Sequence, residues 1–208
     1  NPRLCVPEDL GHAAAVASAT CWKLPAWAWR QYRVPYLVLA VAHLATAFAF
    51  LGGRAAGTSA AAYGLPLDDA WIHLVYSRSF AHFEGLAYNP GVQECGATSP
   101  LWVLLQTPLY WLAPLWGGEV TYGVKVLGVV LGWLGSVAAF RLIARLTGLT
   151  AAAWGAALLL AVDPSLAFAR VSGMEVALAV AVPLWFAWSV ADGRLLGAVR
   201  VVGKAIPI

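Results

Sequence analysis

The segment VPYLVLAVAHLATAFAFLGG, residues 34–53, decides the class of this protein. It carries no Asp, Glu, Lys or Arg over its whole length. A helix needs roughly 20 apolar residues to cross a bilayer core of about 30 Å. The segment lies behind Lys23, Arg30 and Arg33 and is too long for a cleaved signal sequence. We therefore predict an uncleaved membrane anchor.

One polar side chain, His43, falls in the middle of this predicted span. A polar group at that depth is costly in lipid, so we expect it to face other helices. Two interpretations are open at this stage. His43 has a functional role inside the bundle, or it is a neutral imidazole bonded to a neighbouring helix.

The composition of the whole chain agrees with a membrane protein. Of the 208 residues, 61% are hydrophobic and 11% are charged, whereas soluble domains have about 25% charged residues. The net charge of +3 comes from scattered Lys and Arg with no basic run, which disfavours nucleic-acid binding. Cys5, Cys21 and Cys95 lack C-x-x-C spacing, so no zinc or redox motif is indicated.

Together with the first segment, the other apolar segments predict about four spans, at 34–53, 121–143, 150–166 and 174–191. The segment 100–116 is ambiguous because it is short and holds three prolines. The positive-inside rule favours placing it in the outer interface. Nine of the 13 Lys and Arg residues are then cytoplasmic: Arg3, Lys23, Arg30, Arg33, Arg141, Arg145, Arg194, Arg200 and Lys204.

The predicted fold class is thus all-α integral membrane, with both termini in the cytoplasm. Residues 1–33 form a cytoplasmic or interfacial segment, 34–200 the membrane region and 201–208 a cytoplasmic tail. A long outer loop covers 54–120. We expect amphipathic surface helices in this loop at about 69–83 and 100–116.

The ionisable residues concentrate in the two predicted outer loops. The first loop holds Asp68, Asp69, His73 and Arg78, and Asp69 and His73 share one helix face at i and i+4. The second, shorter loop holds Asp163, Arg170 and Glu175. Carboxylates can act as a general base or hold a divalent metal, and arginines can neutralise a phosphate. Such groups at the membrane surface suit a lipid-phosphate substrate, although Asp68 and Asp69 alternatively cap a surface helix.

The run GLPLDDAWIHLVYSRSFAHFEGLAYNPGVQECGATSPLW, residues 64–102, resembles the first extracytoplasmic loop of the GT-C glycosyltransferases. These multi-spanning enzymes use polyprenyl-phosphate-linked sugars, and they include protein O-mannosyltransferases, the lipid A aminoarabinose transferase and mycobacterial arabinofuranosyltransferases. The resemblance covers roughly residues 34–200. Four motifs carry it: Asp68-Asp69, Asn89-Pro90-Gly91, the run GATSPLW at 96–102 and the run SGME at 172–175.

The resemblance implies an inverting transfer of a glycosyl group from a polyprenyl-phosphate sugar to a glycan, lipid or protein acceptor. Asp68 would be the general base, and Asp69 its acidic partner on metal or acceptor. His73, Arg78, Arg170 and Glu175 are the candidates for binding substrate phosphate or acceptor. A divalent metal, Mg²⁺ or Mn²⁺, would be held by Asp69 and Glu175. The active face is expected outside the cytoplasm, and the lack of eukaryotic sorting signals favours a bacterial plasma membrane over the endoplasmic reticulum.

GT-C enzymes usually have eight or more spans, so this chain is expected to be the N-terminal part of such an enzyme. Activity of these 208 residues alone is therefore left open. The alternative is a non-catalytic or degenerate membrane protein that binds a polyprenyl lipid. A small transporter is disfavoured because the predicted spans hold almost no charge and no paired broken helices.

Overall fold

A computed structural model of the chain describes residues 26–52, 64–89, 91–92 and 96–193. The predictions for residues 1–25, for Pro90 and for the tail 201–208 lie outside these ranges. The chain divides into two units, 1–37 and 38–208. The contacts of the candidate site all lie within the second unit.

The described ranges are helical and contain no strand, which confirms the predicted all-α class. Their helices are α1 (Ala26–Gly52), α2 (Asp68–Ala81), α3 (Pro100–Leu112), α4 (Val120–Thr147), α5 (Thr150–Val162), α6 (Pro164–Val171) and α7 (Val176–Ala191). A 3-10 turn, Ala113–Trp116, follows α3.

Two of these helices are long and apolar enough to cross a membrane: α1, over Arg33–Leu51, and α4. The pair α5 and α6 bends by 53° at its junction and makes a third candidate if the pair counts as one span. Helix α7 is apolar but has only 16 residues. The helices therefore indicate a membrane protein, while a count of four spans stays a prediction.

Helix α4 packs closely against its neighbours through glycines. A Cβ at Gly128 would collide with the backbone oxygen of Arg170, and one at Gly135 would lie 3.4 Å from the Cα of Ala181. Small residues let helix backbones approach each other in apolar surroundings, where packing replaces the hydrophobic driving force. The glycine face of α4 therefore receives both α6 and α7.

The predicted span 150–166 is divided in the structure, because a helix break falls at Asp163-Pro164. Pro164 occupies the first turn of α6, where its missing N–H costs nothing. Oδ1 of Asp163 accepts a hydrogen bond of 2.8 Å from the Leu166 amide and caps α6. The continuous apolar run concealed this break, although the Asp-Pro pair is a recognised turn signal.

His43 is completely buried, and its Nε2 lies 2.9 Å from Oγ of Ser136 on α4. This contact bears out the interpretation of His43 as an imidazole bonded to a neighbouring helix. It also fixes the register of α1 against α4, since the histidine is held at one depth of the longer helix.

Candidate functional site

Asp68 and Asp69 occupy the first turn of α2, and both are exposed. The N-cap residue of this helix is Leu67, and no side chain makes a capping hydrogen bond there. The capping interpretation of the two aspartates is therefore not supported. Their charges still favour the positive end of the helix dipole. Two carboxylates thus stand side by side where solvent or a ligand can reach them.

One turn further along α2, His73 is only 2% exposed and points toward the start of α7. Its Nε2 lies 3.1 Å from Oε2 of Glu175. Nδ1 of His73 and Oε2 of Glu175 are buried and make no hydrogen bond within the described residues. The close approach is thus an electrostatic contact, with its full strength only when the imidazole is protonated. It links the helix of the aspartates to the segment before α7.

A second link runs through Gly173, two residues before Glu175. The indole Nε1 of buried Trp102 donates a 2.9 Å hydrogen bond to the carbonyl oxygen of Gly173. Gly173 has a φ of +88°, and a Cβ there would lie 2.7 Å from Leu65 Cδ1 and 3.0 Å from Ala70 Cβ. Only glycine both adopts this backbone angle easily and fits against Ala70. The backbone of Gly173 therefore supports the first turn of α2.

Tyr76 extends the same cluster to the loop after α2. Its ring lies 5.9 Å from the ring of Tyr88, and a Cβ at Gly96 would collide with the Tyr76 hydroxyl. The sequence around the Asp68-Asp69 pair, the run 96–102 and the run 172–175 are thus packed against one another. Residues that are far apart in the sequence thus form one packed cluster next to the exposed turn that holds Asp68 and Asp69.

Arg78 lies in the last turn of α2, exposed, and is not part of this cluster of contacts. Its positive charge acts on the pKa of Tyr110 on α3. The Tyr110 hydroxyl donates a 2.8 Å hydrogen bond to the Leu74 carbonyl. Burial raises the pKa of Tyr110 to about 12, while the positive charge of Arg78 acts in the opposite direction. Arg78 therefore places a positive charge on the surface beside α2 and α3.

Arg170 lies elsewhere, on α6, and is 3% exposed. Its guanidinium donates to the carbonyl oxygens of Leu160 at 2.9 Å and Ala161 at 2.8 Å, and to Oγ1 of Thr46 at 3.1 Å. These contacts satisfy carbonyls that the end of α5 leaves without helical partners. Its assignment to substrate phosphate stays a prediction, and most of its hydrogen-bonding capacity is used within the protein.

Among the described residues, no three His, Cys, Asp or Glu side chains come together as a metal-binding group. His73 and Glu175 make a pair of nitrogen and oxygen donors, and Asp69 lies one turn before His73 on the same helix. Assignment of a divalent cation to Asp69 and Glu175 stays a prediction. If Asp69 and Glu175 held such a cation, a third ligand would have to come from another residue or from the substrate.

Two contributors were not identified from the sequence as site residues: Trp102 and Gly173. Both lie inside motifs that the sequence had singled out, but neither carries a titratable group. The only signal for Gly173 was its position in the run SGME, and for Trp102 its position at the end of GATSPLW. Their roles come from tertiary packing across 71 residues of chain.

No family model, no curated protein and no solved structure matches this chain.

Proposed function

We propose that this chain carries the acceptor-activating loop of a membrane glycosyltransferase that uses a polyprenyl-phosphate sugar. The site would work at the outer face of a bacterial plasma membrane, with about four spans in this part of the enzyme. The observation that carries the proposal is the packing of two separate motifs, in the runs 96–102 and 172–175, around the exposed turn of Asp68 and Asp69. Glu175 contacts His73 of the helix that begins with Asp68 and Asp69, and Gly173 lies against Ala70 of the same helix. Trp102 donates a hydrogen bond to Gly173 and shares the buried core with Ala70 and Leu74.

The exposure of the two aspartates, the missing capping bond and the buried contacts next to them support a functional role for this turn. Both carboxylates are exposed, so a substrate at the membrane surface could reach them. Asp68 and Asp69 make no capping bond that would explain them structurally. Buried contacts below the turn instead fix its position, as a catalytic group requires support from packed neighbours.

In the proposed reaction, the carboxylate of Asp68 accepts the proton of an acceptor hydroxyl. The hydroxyl oxygen forms a bond to the anomeric carbon as the bond from that carbon to the phosphate oxygen breaks. Polyprenyl phosphate leaves with its electron pair, and the configuration at the anomeric carbon inverts. Asp69 orients the acceptor or a divalent cation, and Arg78 supplies positive charge for the phosphate.

The substitution Asp68→Asn tests this assignment. Removing a general base costs about 10²–10⁴ in rate, so we expect transfer to fall to background while the protein level in the membrane is unchanged. The assay follows radiolabelled sugar from polyprenyl-phosphate donors into acceptors of native membranes that lack the chromosomal copy. Glu84→Gln, which removes an exposed carboxylate just beyond α2, is the matched control and is expected to retain activity.

Two results would contradict the assignment. If Asp68→Asn supports transfer as well as Glu84→Gln does, Asp68 is not the base. If Asp69→Asn loses all activity while Asp68→Asn keeps it, the base is the second aspartate and the first is its partner.

A second candidate, a non-catalytic protein that binds a polyprenyl lipid, is favoured by a different feature. A cavity of about 400 Å³ lies between α4, α5 and α7, lined by aliphatic side chains such as Leu142, Leu159 and Leu184, with Asp163 among its lining residues. An aliphatic cavity between helices suits a hydrocarbon chain. Lipid binding that is unchanged in Asp68→Asn and Asp69→Asn, without transfer by the wild-type protein, would favour this candidate.

A further inference from the structure

The buried guanidinium of Arg170 carries a positive charge that the protein balances only in part. Its printed sequence neighbours in space are neutral: it donates hydrogen bonds to the carbonyl oxygens of Leu160 and Ala161 and to the hydroxyl of Thr46. Within the part of the chain that the structure describes, no carboxylate forms an ion pair with it. Because a buried charge is costly unless it is paired and fully hydrogen-bonded, this side chain has capacity left for an anion.

The remaining capacity lies at one atom, Nε of Arg170. Its N–H is buried and has no hydrogen-bond partner among the described residues. A small cavity lies beside it between four helices, α4 to α7, and its lining includes Gly132, Arg170, Val176, Ala177 and Val180. A Cβ at Gly132 would collide with Cδ of Arg170, the atom to which Nε is bonded. The Nε end of the side chain therefore borders this cavity.

A second source of positive potential meets the same cavity, since α7 begins there. Val176 and Ala177, which line the cavity, are the first two residues of this helix. The amides of a first helical turn have no partner within the helix, and the N-cap residue, Glu175, makes no capping hydrogen bond through its side chain. The N-terminus of a helix carries about half a positive charge and attracts anions. The cavity thus lies between a buried cation and the positive end of a helix.

We propose that this cavity binds one chloride ion, held by the Nε–H of Arg170 and the first amides of α7. Its volume of about 20 Å³ accommodates a single atom of about the size of water and is too small for a whole phosphate group. A buried water also needs acceptors for its own protons, and none of the described side chains that line the cavity offers one. The two nearest carboxylates in the sequence have other partners: Asp163 accepts from the Leu166 amide, and Glu175 contacts His73.

Equilibrium binding of radiolabelled chloride to the purified full chain in detergent tests the proposal. Sodium gluconate, whose anion is too large for the cavity, keeps the ionic strength constant. We expect saturable binding that bromide displaces and inorganic phosphate does not. If phosphate displaces chloride as well as bromide does, the site takes an oxygen of a phosphate group and the assignment to a halide is wrong. If no saturable binding occurs, the cavity holds water or nothing, and the proposal fails.

Val180→Ile locates the site, because the added methyl group fills the cavity. Val182→Ile is the matched control: it makes the same change on α7 at a position that is 49% exposed. Since an ion that binds the native state stabilises it, chloride should raise the unfolding temperature of the wild type and Val182→Ile, but not of Val180→Ile. Equal unfolding temperatures in gluconate show that Val180→Ile is folded. If Val180→Ile binds chloride as Val182→Ile does, the ion lies elsewhere and the assignment is wrong. If Val180→Ile does not fold, binding to the wild type still decides whether a halide site exists, and none of these outcomes depends on the chemistry proposed for Asp68.

Discussion

At the scale of single residues, Gly173 has the most restricted environment in the candidate site. Its φ of +88° and the short distances from a Cβ to Leu65 and Ala70 act together. We predict that Gly173→Ala destabilises the protein by more than the roughly 1–2 kcal/mol that a left-handed backbone angle alone costs an L-residue. The added part comes from displacement of the first turn of α2. Unfolding by SDS in mixed micelles measures the change.

Gly148 is the matched control for this prediction. It also has a positive φ, of +68°, but a Cβ there would meet nothing within 4 Å. Gly148→Ala should therefore lower the free energy of unfolding only by the cost of the left-handed backbone angle. Equal destabilisation by the two substitutions would mean that Gly173 does not support the aspartate turn by packing.

At the scale of secondary structure, one buried cation adds hydrogen bonds to the break between α5 and α6 that Asp163 and Pro164 form. Arg170 reaches back to the carbonyls of Leu160 and Ala161 and to Thr46 with a planar group that a lysine cannot reproduce. We predict that Arg170→Lys costs about 1–3 kcal/mol, because at least one buried carbonyl loses its partner. The same SDS titration detects the loss.

Arg145→Lys provides the comparison, because Arg145 lies exposed in the last turn of α4. A surface change of this kind usually alters stability by less than about 0.5 kcal/mol. If Arg170→Lys is no more harmful than Arg145→Lys, the cap by Asp163 is sufficient to hold the break.

Two of the predicted segments coincide with helices of the structure, while their placement in or on a membrane stays a prediction. The span predicted at 121–143 corresponds to α4, Val120–Thr147, which ends at Gly148 in the left-handed conformation. The helix predicted over 69–83 corresponds to α2, Asp68–Ala81. The break at Asp163 was missed because hydropathy averages over a window, whereas Pro164 acts at one residue. Local patterns also cannot reveal that His73 meets Glu175, since that contact depends on how distant helices pack.

At the scale of the whole molecule, the number of spans decides which loops share a side of the membrane. Helix α7 has 16 residues, about 24 Å of helix, which is short of a core of about 30 Å. Counting of basic residues nevertheless predicts that it crosses, because Arg194, Arg200 and Lys204 follow it. We therefore predict that α7 spans the membrane and that the residues after Asp192 are cytoplasmic.

Fusions of alkaline phosphatase and of green fluorescent protein after chosen residues, in a bacterial host, test this topology. Phosphatase is active only outside the cytoplasm, and the fluorescent protein folds only inside. We expect phosphatase activity after Gly118 and Ser172, and fluorescence after Gly148 and Asp192. Phosphatase activity after Asp192 would mean that α7 does not cross, which reduces the count to three spans. Fluorescence after Gly118 would put Asp68 on the cytoplasmic side and remove the basis for an outer-face transferase.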